Sequence, residues 1–597
     1  MRVADYIADY IYQQGVHHVF MVSGGGMMFL ADGIASHPNL KPVCTHHEQA
    51  AAMAAVSYAK YTGGLAACFV TSGCGGTNAV TGLLNAWQDN TPCIFFSGQS
   101  KRKETVRNSG LMLRQFGVQE ADIISVVQSL TKYAVMINNP ESISYHLQKA
   151  IFMATHGRRG PVWLDIPLDV QGAQIDPAQL LGFSTEEEMR MEFGGPTNED
   201  IAGTIDLIKQ AGRPIIIAGQ GIRLAKALSE FKLFVEKFQI PFVVSKLGVD
   251  VLPTNHPLYI GRIGNKGDRP GNLAVQNADL VLSLGCRLSV SSTGHEYQTF
   301  AREATVVVVD IDPIEHKKNT VRIDRFIHAD AKLFLDKLND LDGLPPTPDW
   351  INKCQYWKGK YPTCLPSYSD DSNGINLYYF VDRLSSVLNH DSVVVCDAGS
   401  SFYVVTQAIQ LRDGQRIITS GGQAEMGYAL PATIGVSFAQ KQGRVIGITG
   451  DGSFQMNIQE LQTIVHHRLP IKIFVWNNDG YLSIRATQRK FFESRFLGTD
   501  TASGVSFPEL TKIAAAYGLQ YHKIDRSQTL VDDLKAIINS PDPVLCEVMC
   551  IRDQEIVPTV SASTRPDGTL VSRPIEDMYP FLDREEFYRE MIIKPIS

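Results

Sequence analysis

Between Lys41 and Gln99 the runs "KPVC", "LAACFV" and "PCIFFSGQ" are short, apolar and set apart by helix-length stretches such as "EQAAAMAAVSYAKYTG" and "GGTNAVTGLLNAW". This alternation constrains the fold most, because strand and helix in turn build a parallel sheet covered by helices on both faces. It begins earlier, where Val3, Tyr6, Ile7, Tyr10 and Ile11 recur at helical spacing and "HHVFMV" runs into "SGGG". It continues to "GPVWLDIP", near Val170.

The pattern then restarts twice. The polar segment "GFSTEEEMRMEFGGPTNED", from Gly182 to Asp200, shows no apolar period and reads as a linker. A second unit follows through "RPIIIAGQGIRLAKALSEF", "PFVVSKLG", "ADLVLSLGCRL" and "ATVVVVDIDP". After the proline-rich "DGLPPTPDW", a third runs through "DSVVVCDAGSS", "RVIGITGDGSF", "IKIFVWNNDGYLSI" and "DPVLCEVMC". The expected architecture is α/β, three doubly wound parallel-sheet domains at 1–180, 195–342 and 370–550, with a C-terminal tail at 551–597. The tail should lie over a surface or an active-site mouth. At 597 residues the chain exceeds what one core fills, which is about 250–300 residues. Units one and three look alike in size and alternation, without a clear repeat between their sequences.

Composition narrows the partners. A net charge of −7 supplies no basic footprint for nucleic acid or an anionic membrane, so a small molecule is favoured. No apolar run reaches the roughly 18 residues of a membrane span, and Asp5 and Asp9 contradict a secretory signal. Ten cysteines scattered through core strands point to a reducing compartment, and the expected location is cytoplasmic. Cys546 and Cys550 in "CEVMC" read as buried thiols rather than zinc ligands.

Glycine loops between strand and helix can offer backbone N–H groups to phosphate. No GxxxxGK[ST] is present, which argues against a nucleoside triphosphatase. "AGQGIRLA" has Leu224 where the third glycine of a dinucleotide fingerprint belongs, leaving either tight packing or a weak nucleotide signal. The third unit is more specific. Asp451, in "GDGSFQMNIQEL", follows the strand Val445–Ile448, and by itself reads as a turn. Ile458, Leu461 and Ile464 then mark a helical face, and Asn477-Asn478 follows the strand "IKIFVW". Parallel strands end on one edge, so Asp451 and Asn478 should meet there as hard oxygen donors suited to Mg²⁺ and phosphate.

Gly450-Asp451-Gly452, a gap, and Asn477-Asn478 resemble the motif of thiamine-diphosphate-dependent enzymes, and the whole chain is similar to the acetolactate synthase (acetohydroxyacid synthase) large subunits. "HHEQAAAMAA", "TSGCGGTN", "GPVWLDIPLDV" and "SGGQAEMGYALPATIG" carry the likeness in the family's order. The resemblance implies that Glu48 bonds the pyrimidine N1′ and activates the cofactor; without it Glu48 would be a solvated helix-start carboxylate. It implies Mg²⁺ held by Asp451, Asn478 and the Gly480 carbonyl. Gly450, Gly452, Ser453 and Tyr481 surround the diphosphate, and Met426, otherwise a core methionine, is the wedge that bends the cofactor. Ser400 and Ser401 stand where many relatives have Gln-His. Gly24, Gly25, Val118 and Gln119 fall at the substrate pocket. The resemblance implies a homodimer at least, and a homotetramer as the larger assembly, with each cofactor spanning two subunits.

The implied reaction is decarboxylation of a 2-oxo acid, pyruvate, with transfer of the hydroxyethyl carbanion to a carbonyl acceptor. The alternatives are addition to a keto-sugar, a non-carboligating decarboxylase or oxidase, and a non-catalytic binding protein on the same fold. Departures bear on the acceptor: Thr487 lies near the expected place of a Trp, Leu168 replaces a common Lys, and Val118 replaces a Phe before Gln119 and Glu120. The tail "STRPDGTLVSRPIEDMYPFLDREEF" looks more like enzymes of surface-sugar pathways. FAD is left open, since "GCRLSVSSTG" lacks the acidic pair of the flavin-associated pattern.

Overall fold

The computed structural model describes residues 1–186, 195–440, 443–564 and 567–596. Three six-stranded sheets follow one another along the chain. The first contains β1 (His18–Met21), β2 (Lys41–Cys44), β3 (Ala66–Val70), β4 (Cys93–Gln99), β5 (Tyr133–Met136) and β6 (Val162–Pro167), in the order β2-β1-β3-β4-β6-β5. The second contains β7 (Pro214–Ala218), β8 (Phe242–Val244), β9 (Tyr259–Arg262), β10 (Leu280–Leu284), β11 (Thr305–Asp310) and β12 (Arg325–His328), in the order β12-β11-β10-β7-β8-β9. The third contains β13 (Val393–Cys396), β14 (Arg416–Ile418), β15 (Val445–Gly450), β16 (Lys472–Asn477), β17 (Gln520–Ile524) and β18 (Val544–Met549), in the order β14-β13-β15-β16-β18-β17. Their pairings are parallel, as the strand–helix alternation requires.

Sheets one and three share a strand order, so the likeness in size and alternation is a likeness of topology. In each, the chain runs first to one side and then to the other. This creates a switch point between β1 and β3, and another between β13 and β15, where ligands bind in open α/β sheets. The second sheet has its own switch point, between β7 and β10.

The first and third units are held together by two helices. The helix Glu48–Thr62 carries Ala50–Ala52, Ala54 and Ala55 and is buried from Ala50 to Ala59. Its small side chains admit the helix Ala429–Ala439 so closely that a Cβ on Gly435 would lie 2.0 Å from the Ala54 carbonyl oxygen. Lys60 Nζ extends the contact, donating to Asp89 Oδ2 at 2.7 Å in its own unit and to the Thr419 carbonyl at 2.9 Å in the third. Arg416 joins all three units: it donates to Asp250 Oδ2 at 2.6 Å and to the carbonyls of Tyr61 and Lys60 at 3.4 and 3.3 Å.

Two sequence expectations are corrected here. Thr197 Oγ1 accepts from Asp200 N at 3.1 Å while Asp200 Oδ2 accepts from Thr197 N at 3.0 Å, a capping box that starts the helix Asn198–Gln210 inside the stretch read as linker. Residues 187–194 of that stretch lie outside the described residues. The helix expected after Asp451 is also broken. Asp451–Phe454 is α-helical, Gln455–Glu460 is a 3₁₀ segment, and Asn457 at φ −135° kinks the join. The kink lets Asn457 Nδ2 donate to the Gly427 carbonyl at 2.8 Å and to Gln49 Oε1 at 3.1 Å.

The tail packs on the second unit, where Ile575, Phe587, Met591 and Ile593 share a core with Trp350 and Trp357. Glu590 pins it by accepting from Lys353, Lys360 and Trp357 Nε1, each at 2.8 Å. Among the described residues no helix is long and apolar enough to cross a membrane.

Candidate active site

Asp451 is the first residue after β15 and opens the helix Asp451–Phe454. Its carboxylate is buried: Oδ1 accepts from Gly452 N at 2.7 Å, and Oδ2 accepts from Gly480 N at 2.9 Å and Asn478 N at 3.2 Å. Burial pushes its carboxyl up to about 6, against the opposing pull of those three N–H groups. The register of β15 with β16 sets Gly450 beside Trp476, which brings the turn at 478–480 to this carboxylate. Asn478 is buried, and its Oδ1 meets no hydrogen-bond donor. A carboxylate beside an unpartnered amide oxygen fits a hard divalent cation, which would offset the burial of both. The Gly480 carbonyl adjoins them and accepts from Leu482 N at 3.0 Å, leaving one lone pair.

The turn at 478–480 is clamped from behind. Arg485 is inaccessible to solvent and donates to the carbonyls of Asn478 at 2.7 Å, Asp479 at 2.8 Å and Arg552 at 2.5 Å. Its Nε meets Asp553 Oδ1 at 3.1 Å. Gly452 belongs to the same corner, because a Cβ there would lie 2.0 Å from the ring of Tyr481.

The serines divide. Ser453 Oγ donates to Asp397 Oδ2 at 2.6 Å and accepts from Gly427 N at 2.8 Å. Ser401 Oγ donates to Asp397 Oδ1 at 2.7 Å, and Thr449 Oγ1 to Oδ2 at 2.8 Å. Asp397 is therefore a buried hub tying the ends of β13 and β15, and burial raises its carboxyl against the hydroxyls of Ser453 and Ser401. The Ser401 and Ser453 hydroxyls are committed to that hub, while Ser400 lies in the first turn of the helix Gly399–Ala408, whose N-terminus suits an anion. Met426 sits in the loop before the helix Ala429–Ala439, and Gly427 ties that loop to Ser453 and Asn457.

Glu48 begins its helix, after His47, whose ring accepts from Gln49 N at 3.1 Å. Asn78 Nδ2 donates to Glu48 Oε2 at 3.0 Å, fixing the carboxylate at the edge where β2 and β3 end. Gly24 and Gly25 follow β1, and Gly26 N donates to Thr71 Oγ1 at 3.1 Å, which lays that loop across the switch point. Gln119, at φ +55°, places its carbonyl against Gly73 in the same region, and Val118 beside it is exposed. The buried Glu120 shapes that loop by accepting from the N–H groups of Val106, Phe116 and Gly117. Residue spacing did not disclose Asn78, Asp397, Asn457 or Arg485. Each acts across the chain, and only the burial of Asp397 at the end of the run "VVVC" offered a signal.

A second recess lies at the switch point of the middle sheet. A cavity of about 350 Å³ is lined by the loops holding Gln220, Gly285, Asp310 and Asp330 and reaches Gly421 and Gly422 of the third unit.

Buried oxygen donors at the switch point of the third unit and a fixed carboxylate at the sheet edge of the first are the arrangement of a ligand-binding α/β protein. Family comparison gives it a place. Residues 1–126 match the thiamine pyrophosphate enzyme N-terminal TPP binding domain, 201–338 the central domain, and 397–548 the C-terminal TPP binding domain. The chain is 32% identical to the acetolactate synthase large subunit of Lactococcus lactis, covering 93% of each chain. It is also 32% identical to the probable acetolactate synthase large subunit of Methanocaldococcus jannaschii, over 95% of this chain and 94% of that one. The protein belongs to the thiamine pyrophosphate enzyme family, and it is an enzyme of the acetolactate synthase-like, thiamine-diphosphate-dependent type.

Proposed function

We propose that the protein decarboxylates pyruvate with thiamine diphosphate and Mg²⁺ and transfers the remaining two-carbon unit to a carbonyl acceptor. The observation that carries this reading is the buried, unpartnered Oδ1 of Asn478 beside the Asp451 carboxylate. Asp451, Asn478 and the Gly480 carbonyl would hold the metal, and the first turn of the Gly399–Ala408 helix would face the diphosphate. When bound, the cofactor supplies the electron sink that makes loss of CO₂ from a 2-oxo acid feasible. Glu48, held by Asn78, would hold a proton at pyrimidine N1′. Met426, steadied through Gly427, would support the bent cofactor from beneath.

Glu48 and the metal corner lie on different units. Within one chain the Glu48 helix begins beside Glu460, whose Oε1 accepts from His46 N at 3.0 Å. Asp451 and Glu460 stand at opposite ends of the kinked stretch formed by the helix Asp451–Phe454 and the 3₁₀ segment Gln455–Glu460. This separation supports a homodimer in which Glu48 of one subunit serves the metal corner of the other, and a tetramer built from two such pairs. Sedimentation analysis would decide the assembly, and a monomer with full activity would rule it out. The division into units at 1–180, 195–342 and 370–550 is proposed with it.

FAD is the candidate occupant of the middle cavity, supported by its place at a switch point. A visible spectrum of natively purified protein tests this, and absent flavin bands would remove it. The function itself is tested by incubating the enzyme with pyruvate, with and without acceptors, and identifying the product. Acetolactate or a branched sugar supports carboligation; acetaldehyde or acetate as the sole product, whatever acceptor is added, contradicts it.

A further inference from the structure

Beside the proposed cofactor site lies a group of ammonium ions that the mechanism above does not use. Lys246 Nζ lies 5.1 Å from the ring of Phe402 and 5.2 Å from that of Tyr403, and Lys266 Nζ lies 5.7 Å from Tyr403. Tyr403 is one helical turn beyond Ser400, on the helix that points its N-terminus at the diphosphate edge. Leu247, next to Lys246, packs against Gly421 at the start of the loop that carries Met426. The ring contacts set both lysines beside the helix Gly399–Ala408, and Lys246 and Leu247 also line the wall of the middle cavity, next to Gly421. Among the described residues neither makes an ion pair; Lys266 donates only to the Ile556 carbonyl at 3.1 Å. Lys490 adds a third positive charge near Lys266, and the exposed Glu555 is the acidic group near it.

We propose that Lys246 and Lys266, with Lys490, bind a phosphate group on the acceptor substrate, so that the acceptor is a phosphorylated carbonyl compound. This rests on the carboligase reading above and names the acceptor class for the same site. The donor is the wrong occupant: its carboxylate must leave as CO₂, and cations gripping it would stabilise the charged ground state against that loss. An acceptor's anion survives the reaction, so binding it costs the chemistry nothing. Two cations over one aromatic floor, with the charge of Lys490 acting on Lys266, outnumber the single charge of a carboxylate and match a phosphate dianion. Burial presses both Lys246 and Lys266 down to about 8, a strain that a bound dianion relieves.

The test uses the holoenzyme with thiamine diphosphate and Mg²⁺ bound. Trace acetylation with acetic anhydride, read by peptide mass spectrometry, should show Lys246 and Lys266 protected severalfold by inorganic phosphate and by fructose 6-phosphate at matched ionic strength. Fructose should not protect them, and the exposed Lys512 should be unaffected by any of the three. Equal labelling with and without phosphate overturns the proposal, as does protection by pyruvate with none by phosphate. In kinetics, the ratio of kcat/KM for a phosphorylated over a neutral acceptor should be at least about tenfold and should fall toward one in Lys266→Met, while Lys266→Arg retains it. A ratio near one in the wild type also overturns it. Failure of the underlying function would look different, as no CO₂ release from pyruvate under any condition, and leaves the protection result to be read by itself.

Discussion

Arg485 donates to the main-chain carbonyl of Asn478 at 2.7 Å from a guanidinium that solvent does not reach. The same group holds Asp479 and Arg552, so one side chain fixes the turn that presents the amide oxygen of Asn478. It grips Asn478 only by the main-chain carbonyl and leaves the amide oxygen without a donor, so its part is positioning.

Replacing it with methionine removes those bonds and leaves the carbonyls of Asn478, Asp479 and Arg552 without this donor, while Asp553 keeps Arg489 at 3.0 Å. Arg485→Met should cost about 2–4 kcal/mol of stability in urea unfolding. It should also weaken Mg²⁺-dependent cofactor binding by about 10–100-fold in calorimetry, as loss of outer supports does at metal sites. A stable variant with unchanged Mg²⁺ dependence would show that the turn holds its shape unaided.

Gly452 has a narrower tolerance. A methyl group there meets the Tyr481 ring at 2.0 Å, so Gly452→Ala must displace either the ring or the start of the Asp451 helix. The expected cost is about 1–3 kcal/mol, the usual range for overpacking. Cofactor affinity should fall with it, and Gly452→Ala combined with Tyr481→Ala should recover part of the lost stability. No recovery in the double variant would mean that the clash is relieved elsewhere.

The tail gives a pH signature. Burial works to raise the Glu590 carboxyl, but hydrogen bonds from Lys353, Lys360 and Trp357 outweigh it and hold the group down at about 2. An unfolded chain has a glutamate near 4.3, roughly, so the folded state binds its proton less readily. This stabilisation is fully present above that value and is lost as pH falls toward about 2. Glu590→Gln should therefore be less stable than wild type at pH 7, and the gap should close between about pH 4.5 and 2. A gap independent of pH would assign the effect to packing.

The architecture was legible because a parallel sheet needs its crossovers, and the alternating runs announced both strand and helix. The edge that joins Asp451 and Asn478 followed from the same rule. What escaped were contacts whose partners lie far apart in sequence. Asn457 looked like one more helical residue, yet its bonds to Gly427 and Gln49 kink the chain there. Asn78 and Arg485 likewise gain their meaning only when the loops they hold are brought to them. Ser401 and Ser453 came into view through the family resemblance, and nothing in the sequence hinted that their hydroxyls donate to Asp397.

The central claim is that Glu48, fixed by Asn78, activates the cofactor. Deuterium exchange at the thiazolium C2 of bound cofactor, followed by rapid quench and NMR, reports this step before any substrate is involved. The wild type should exchange far faster than free cofactor. Glu48→Gln, with the fold intact by circular dichroism, should lose about 10²–10⁴-fold of that rate, the range expected for a positioned acid–base group. Exchange in Glu48→Gln as fast as in the wild type would contradict the role given to Glu48.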